Sequence, residues 1–178
     1  PGKAEAIAVA GDSAGANQTL SLLNWIKATG LRAPNCAAAL SAHADSTFSS
    51  PTIESNFATD LMLQPLVKPL LKIPKSVLLW MAWKQTKISP SDPKVSPIFA
   101  DLSGLPPILI HASATEMLLG DCQRYTAKAQ SAGVDARLHI WNNMPHVWHM
   151  FENILPEAGD ALADIAAFMK EHGVGNRA

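Results

Sequence analysis

The stretch from Ala6 to Ala28 constrains this chain more than any other. A short unbroken apolar run, Ala6 to Ala10 (AIAVA), leads directly into Gly11-Asp12-Ser13-Ala14-Gly15. The segment Asn17 to Ala28 follows, with Leu20, Leu23, Trp25 and Ile26 recurring at helical spacing. The order is strand, tight turn, helix. Glycine at the first and last turn positions permits a sharp strand-to-helix reversal, which lifts the serine hydroxyl above the C-terminal edge of a sheet. G-x-S-x-G alone arises by chance about once in twenty chains of this length. The strand before it and the helix after it supply the context that a nucleophilic serine requires. The plainer alternative is a glycine-rich turn whose serine caps the helix. A phosphate-binding loop is excluded, because neither G-x-x-x-x-G-K nor G-x-G-x-x-G is present.

The rest of the chain repeats the alternation. Pro34 and Asn35 break it, and Cys36 to Ser41 reads as a second strand, apolar without alternation as in a parallel sheet covered on both faces. Two strands joined through a helix imply a right-handed crossover. Ile108 to Ala112, a helix Leu119 to Ala132 closed by Gly133, a strand Ala136 to Trp141 and a helix Glu157 to His172 stopped by Gly173 complete an α/β pattern. The four strands are expected to be parallel and adjacent in chain order, with Ser13 and His146 at their C-terminal edge. From Asp60 to Thr86 the pattern is helical but cut by Pro65, Pro69 and Pro74, so residues 56–88 read as a cap-like excursion of short helices. Ser89 to Pro107 reads as an ordered proline-rich loop.

With 48% hydrophobic residues and no shift in composition, residues 1–178 read as one domain. Fourteen basic against fifteen acidic side chains, scattered rather than clustered, argue against a nucleic-acid partner. The apolar stretch Val77 to Trp83 is too short to span a bilayer. Cys36 and Cys122 form no C-x-x-C pair and no disulfide framework, so a reducing, cytoplasmic location is the default expectation.

Of six histidines, His146 stands out. It follows the fourth strand in Asn143-Met144-Pro145-His146-Val147-Trp148, where a loop delivers it to the same sheet edge as Ser13, as a general base requires. His149 is the alternate. His43, past the end of the second strand, is placed to line a pocket, whereas His111, His139 and His172 read as ordinary strand or helix-end residues. A metal set of His146, His149 and Glu152 is disfavoured by Pro145 and by the lack of H-E-x-x-H, so no metal is assigned. The carboxylate that orients the base should come from the loop after an intervening strand. Glu116, directly after Ile108 to Ala112, is better placed than Asp121, which lies further on inside the helix. Either gives the order nucleophile, acid, histidine, which is that of the α/β-hydrolase class.

Gly-Asp-Ser-Ala-Gly-Ala-Asn at 11–17, Asp92-Pro93 with Ser96-Pro97, Asp101-Leu102-Ser103-Gly104-Leu105-Pro106-Pro107 and Met144-Pro145-His146 resemble the hormone-sensitive lipase family of α/β-hydrolase esterases, over nearly the whole chain. The resemblance places Glu116 where the family's acid motif has Asp, implying a Ser-Glu-His triad, and matches Asp121 to the family's second, non-catalytic Asp. Ala16 departs from the family's usual glycine. The family's His-Gly-Gly-Gly oxyanion loop, its first strands and part of its cap would stand before Pro1. The resemblance thus implies a C-terminal portion, from the nucleophile turn onward.

The expected function is carboxylester hydrolysis on short to medium acyl esters through an acyl-enzyme, without a cofactor. Ser13 is the nucleophile and His146 the base. Glu116 orients His146, and the Ala14 backbone N–H is one oxyanion donor. Met62, Leu66, Trp80 and Trp83, with His43, are the expected substrate-binding residues. Two alternatives are a binding module on the same fold and an inactive fragment lacking the oxyanion loop. The expected partners are a small ester and the N-terminal part of the same hydrolase, in a separate chain or outside this sequence, with homo-oligomerisation left open. An apolar first strand with one unpaired edge is an aggregation hazard, so the isolated chain is expected to be poorly soluble and nearly inactive.

Overall fold

A computed structural model describes residues 4–175. Four parallel strands form one sheet in the order β1-β2-β3-β4. They are β1 Ala8–Asp12, β2 Cys36–Leu40, β3 Ile108–Ser113 and β4 Ala136–Trp141. Helix α1 (Ala14–Thr29) connects the first pair, α5 (Leu119–Ser131) the last pair, and α6 (Pro156–Glu171) follows β4. Strand order and direction are those expected from the sequence.

Alternating side chains divide between two cores, as the period-two geometry of a strand dictates. Ala37, Ala39, Ile108, Ile110 and Ala112 join Leu20, Leu23, Cys122 and Tyr125 on the face covered by α1 and α5. Cys36, Ala38 and Leu109 join Ile165 and Phe168 under α6. Burial on both faces explains why β2 and β3 lack polar alternation. Ile108, Leu109 and Ile110 are each fully buried, a contribution of about 2 kcal/mol per side chain.

Two elements differ from the expectation by more than one residue at an end. β1 runs from Ala8 through Gly11 and Asp12 rather than from Ala6 to Ala10, because the ladder to β2 continues to Asp12↔Leu40. Before Ala8, Asn35 replaces the ladder: its Oδ1 accepts from the Ile7 N–H at 3.1 Å while its own N–H donates to the Ile7 carbonyl at 2.7 Å. Helix α1 begins at Ala14, not Asn17, immediately after the turn. Among the described residues β1 pairs with β2 alone. Its residues are half-buried or exposed rather than buried on both faces.

The segment after β2 is built of short helices, α2 (Thr52–Ser55), α3 (Gln64–Val67) and α4 (Lys75–Thr86), with a 3₁₀ turn at Leu70–Lys72. Pro65, Pro69 and Pro74 each stand at the start of one of these elements, where a missing N–H costs nothing. No α4 side chain is buried; Lys84 and Lys87 lie over the rings of Trp80 and Trp83. The start of this segment is anchored firmly. Asn56 Nδ2 donates to the carbonyls of Ala114 and Glu116 at 3.0 and 2.9 Å, and Asp60 Oδ2 accepts from the Met117 N–H at 2.8 Å.

Under α6, His111 of β3 stacks near Trp148 and His149, which lie on the 3₁₀ turn Trp148–Phe151. Burial pushes His111 down to about 4 and His149 down to about 3, so both imidazoles are neutral near pH 7. Cys36 and Cys122 are buried free thiols. Among the described residues, no helix is long and apolar enough to cross a membrane.

Candidate active site

The turn between β1 and α1 stores its strain on the serine. Ser13 has φ 51° and ψ −112°, a conformation that costs a non-glycine residue of order 1–3 kcal/mol and that persists only where the surroundings impose it. Its N–H donates to the Leu40 carbonyl at 2.8 Å, fixing the turn to the end of β2. Gly11 is required by space: a Cβ there would stand 2.4 Å from the Gly15 carbonyl oxygen. Gly15 is not required in this way, since a Cβ would meet nothing within 4 Å. The Ser13 side chain makes no cap bond to α1. Its hydroxyl faces His146 instead.

His146 Nε2 lies 2.9 Å from Ser13 Oγ, and His146 Nδ1 lies 2.8 Å from Glu116 Oε2. Because the ionised carboxylate can only accept, the proton sits on Nδ1, leaving the Nε2 lone pair for the serine hydroxyl. Glu116 is fully buried and His146 nearly so. The second carboxylate oxygen, Oε1, accepts from the Ser113 N–H at 2.9 Å. Both ends of Glu116 are therefore held.

Asp121 is placed elsewhere. Its Oδ2 accepts from the N–H groups of Ala44 and Asp45, each at 3.0 Å, and its Oδ1 from Arg124 at 2.8 Å. Burial raises its pKa against the pull of Arg124. Asp45, bonded to the same guanidinium, is held at about 2: burial opposes its ionisation, but Ser49, Thr47 and Arg124 outweigh it. His149 does not approach Ser13 either; its Nε2 lies 3.1 Å from His111 Nδ1. With His146 and His149 committed to different partners, His146, His149 and Glu152 form no metal set.

Several positioning residues carry no sequence motif. Val147, next to the base, has φ 53°, an unusual value for a β-branched residue, and its N–H donates to Ser41 Oγ at 3.1 Å. Ser41 itself has φ 50°. Ser113 Oγ and Thr115 Oγ1 both donate to the Met144 carbonyl, at 2.6 and 3.0 Å, so the loop after β3 that bears the acid also holds the loop that bears the base. Trp148, fully buried against Ala158 and Ala161, wedges the base loop under α6. The Ser113-x-Thr115 pair at the end of β3 was the one available sequence signal.

The remaining sequence-predicted residues lie on α1, on the segment after β2 and on α4. The Ala14 backbone N–H is in the first turn of α1, where amides have no intrahelical acceptor. His43 stacks on Phe48, and its Nε2 lies 3.1 Å from the Asp45 carbonyl. Leu66, Trp80 and Trp83 are 68%, 52% and 46% exposed, and Met62 is half-buried. A cleft of about 340 Å³ lies along α1 and the loop from Pro93 to Asp101, and Ser13, Glu116 and His146 are not part of its lining.

A family profile described as the α/β-hydrolase fold matches residues 2–150. An esterase of Acinetobacter venetianus is 36% identical over 166 residues, 93% of this chain and 52% of that protein. An acetyl-hydrolase of Streptomyces hygroscopicus is 29% identical, over 92% of this chain and 52% of its own length. Among solved structures, an esterase from the bacterial hormone-sensitive lipase family aligns with a TM-score of 0.80 at 34% identity, covering 93% of this chain and 53% of that one. A hormone-sensitive lipase from a metagenome library aligns with a TM-score of 0.81 at 31% identity, covering 93% and 54%. The chain spans about half the length of the curated relatives it matches. It belongs to the α/β-hydrolase fold family, and within that fold it is similar to esterases of the hormone-sensitive lipase group.

Proposed function

We propose that this chain carries the nucleophile, base and acid of a carboxylester hydrolase working by acyl transfer. The observation that supports this most is the unbroken hydrogen-bonded chain from Ser13 Oγ through both ring nitrogens of His146 to Glu116. Ser13 Oγ attacks the ester carbonyl as its proton passes to His146 Nε2. The imidazolium that forms is stabilised by Glu116, whose charge is buried and aimed at Nδ1. Negative charge developing on the carbonyl oxygen meets the Ala14 N–H and the N-terminus of α1. Collapse expels the alkoxide, which takes the proton from Nε2, and leaves Ser13 acylated. Water then attacks the acyl-enzyme with His146 again as base, releasing the acid and restoring Ser13.

The substrate class we propose is an ester of short to medium acyl length. The acetyl-hydrolase name of the Streptomyces hygroscopicus relative supports the short end. Met62, Leu66, Trp80 and Trp83, with His43, are the proposed acyl-contacting residues, and residues 56–88 the proposed cap. A pure binding module is disfavoured because His146 is present and bonded to the serine.

The test is the full chain mixed with p-nitrophenyl acetate, together with labelling by an organophosphate. A phosphoryl adduct on Ser13 that disappears in Ser13→Ala is expected, together with a nitrophenol burst that is stoichiometric with protein but slow, in keeping with the low activity expected of the isolated chain. Absence of both burst and adduct in folded protein would overturn the reading.

A further inference from the structure

His111 and His139 are opposite one another in the β3–β4 register, on the face covered by α6. Paired positions of adjacent strands lie about 4.8 Å apart, so their side chains stand together. The two imidazoles stack with centroids 5.7 Å apart and planes 24° from parallel. Asp164 of α6 reaches the same point: its Oδ2 lies 2.9 Å from His111 Nε2 and 2.5 Å from His139 Nδ1. The three donor atoms all fall within 4.8 Å of one another.

We propose that His111, His139 and Asp164 form a zinc site that pins α6 to β3 and β4. Two imidazole nitrogens and one carboxylate are donors suited to Zn²⁺ rather than to Mg²⁺ or Ca²⁺, which take oxygen ligands. Zinc bonds of about 2.0–2.1 Å in tetrahedral geometry place ligand atoms roughly 3.3 Å apart, so the two carboxylate–imidazole distances need only a small expansion. The three ligands come from two strands and a helix, elements that hold a site more closely than loops do. His111 also has an outer partner for its second ring nitrogen: its Nδ1 lies 3.1 Å from His149 Nε2. With zinc on Nε2, the His111 proton moves to Nδ1 and donates to His149 Nε2, whose own proton shifts to His149 Nδ1. His111 is fully buried, while His139 and Asp164 have side chains 45% and 33% exposed, which gives the ion an entry path and leaves the fourth position to water.

The site is separate from the Ser13 centre but mechanically connected to it. His149 lies on the turn that follows His146, and Trp148 beside it is packed under α6. An ion joining α6 to β3 and β4 therefore braces the base loop from behind. Its energy is folding energy to the extent that the unfolded chain does not bind it. The plainer reading is a carboxylate hydrogen-bonded to two imidazoles, and it predicts no selective metal uptake.

The experiment is titration of the tag-free full chain with ZnCl₂ against a chromogenic chelator, with thermal unfolding followed in parallel. One ion per chain and a rise in Tm with zinc are expected. His139→Ala and Asp164→Asn should each weaken binding by more than about tenfold, since each removes one of three ligands, whereas His172→Ala and His146→Ala should keep both affinity and stoichiometry. His139 is partly exposed, so His139→Ala remains informative if Asp164→Asn does not fold. Co²⁺ in place of zinc should give the intense ligand-field bands of a four-coordinate site. No uptake at micromolar zinc, or equal uptake by His139→Ala and the parent chain, overturns the proposal. The readout is independent of ester hydrolysis.

Discussion

Glu116 and His146 lie 30 residues apart in the chain and meet at 2.8 Å, Oε2 to Nδ1, whereas Asp121 is turned to Ala44, Asp45 and Arg124. The two acids should therefore fail in different ways. Glu116→Gln removes the charge that fixes the imidazole tautomer and is expected to lower kcat about 10⁴-fold with little change in stability. Asp121→Asn instead disturbs the acceptor shared by the Ala44 and Asp45 N–H groups and the partly exposed Arg124, so it should cost about 1–3 kcal/mol while the folded fraction retains most of its turnover. Steady-state kinetics corrected for folded protein, with urea unfolding, separates them. An active Glu116→Gln beside a dead, stable Asp121→Asn would reverse the assignment.

The sheet and the serine were legible in sequence because each rests on local signals: four apolar runs, a glycine turn, and helices closed by Gly133 and Gly173. His146 and Glu116 were legible because each follows a strand, and parallel strands deliver their following loops to one edge. Ser41, Asn56 and Asp60 were not, since a polar residue in a loop acquires a partner only through tertiary contact. The same holds for His111 and His139. Read along the chain they are single polar residues in two strands, and only the β3–β4 register and the approach of α6 bring them together with Asp164.

Ser41 should act on turnover through the base loop. Ser41→Ala leaves the Val147 N–H buried without its acceptor, a cost of about 1–3 kcal/mol, and frees a backbone held at φ 53°. A drop in kcat of at least about tenfold with KM nearly unchanged is expected, because transition-state geometry is lost and ground-state contacts are not. Ser41→Gly removes the same hydroxyl but tolerates φ 50°, so it should be the more stable of the two and equally impaired in kcat. Normal turnover in Ser41→Gly would assign the residue a purely conformational role.

Asp45 gives a pH dependence with a definite sign. Its folded pKa of about 2 lies below its ordinary 3.8, so the folded state favours the ionised form. The stabilisation is fully present above about pH 4 and is lost as pH falls through about 2. Asp45→Asn is expected to cost about 2 kcal/mol at pH 7, through the bonds to Thr47, Ser49 and Arg124. The gap between parent and variant should narrow as the pH is lowered below 4. Denaturant midpoints measured across that range check it, and a gap that stays constant would mean that the charge on Asp45 contributes nothing.

The two glycines of the turn look equivalent in the motif and are unequal in the structure. A methyl on Gly11 would stand 2.4 Å from the Gly15 carbonyl oxygen, 2.5 Å from its carbon and 2.8 Å from Thr19 Oγ1. Two of these three atoms are backbone, so relief requires β1 and α1 to separate, and that would move Ser13 relative to His146. Gly11→Ala is therefore expected to cost about 3 kcal/mol, the upper part of the overpacking range, and to abolish turnover in whatever folds. At Gly15 a methyl meets nothing within 4 Å, and the residue lies in the first turn of α1 with no positive φ to accommodate. Alanine is favoured over glycine by up to about 1 kcal/mol in a helix interior and by less near an end, so Gly15→Ala should be neutral to slightly stabilising, with Ser13 reactivity preserved. Thermal unfolding and organophosphate labelling of both variants decide the matter. Equal damage from the two substitutions would show that Gly15 is held by a contact that the described residues do not make.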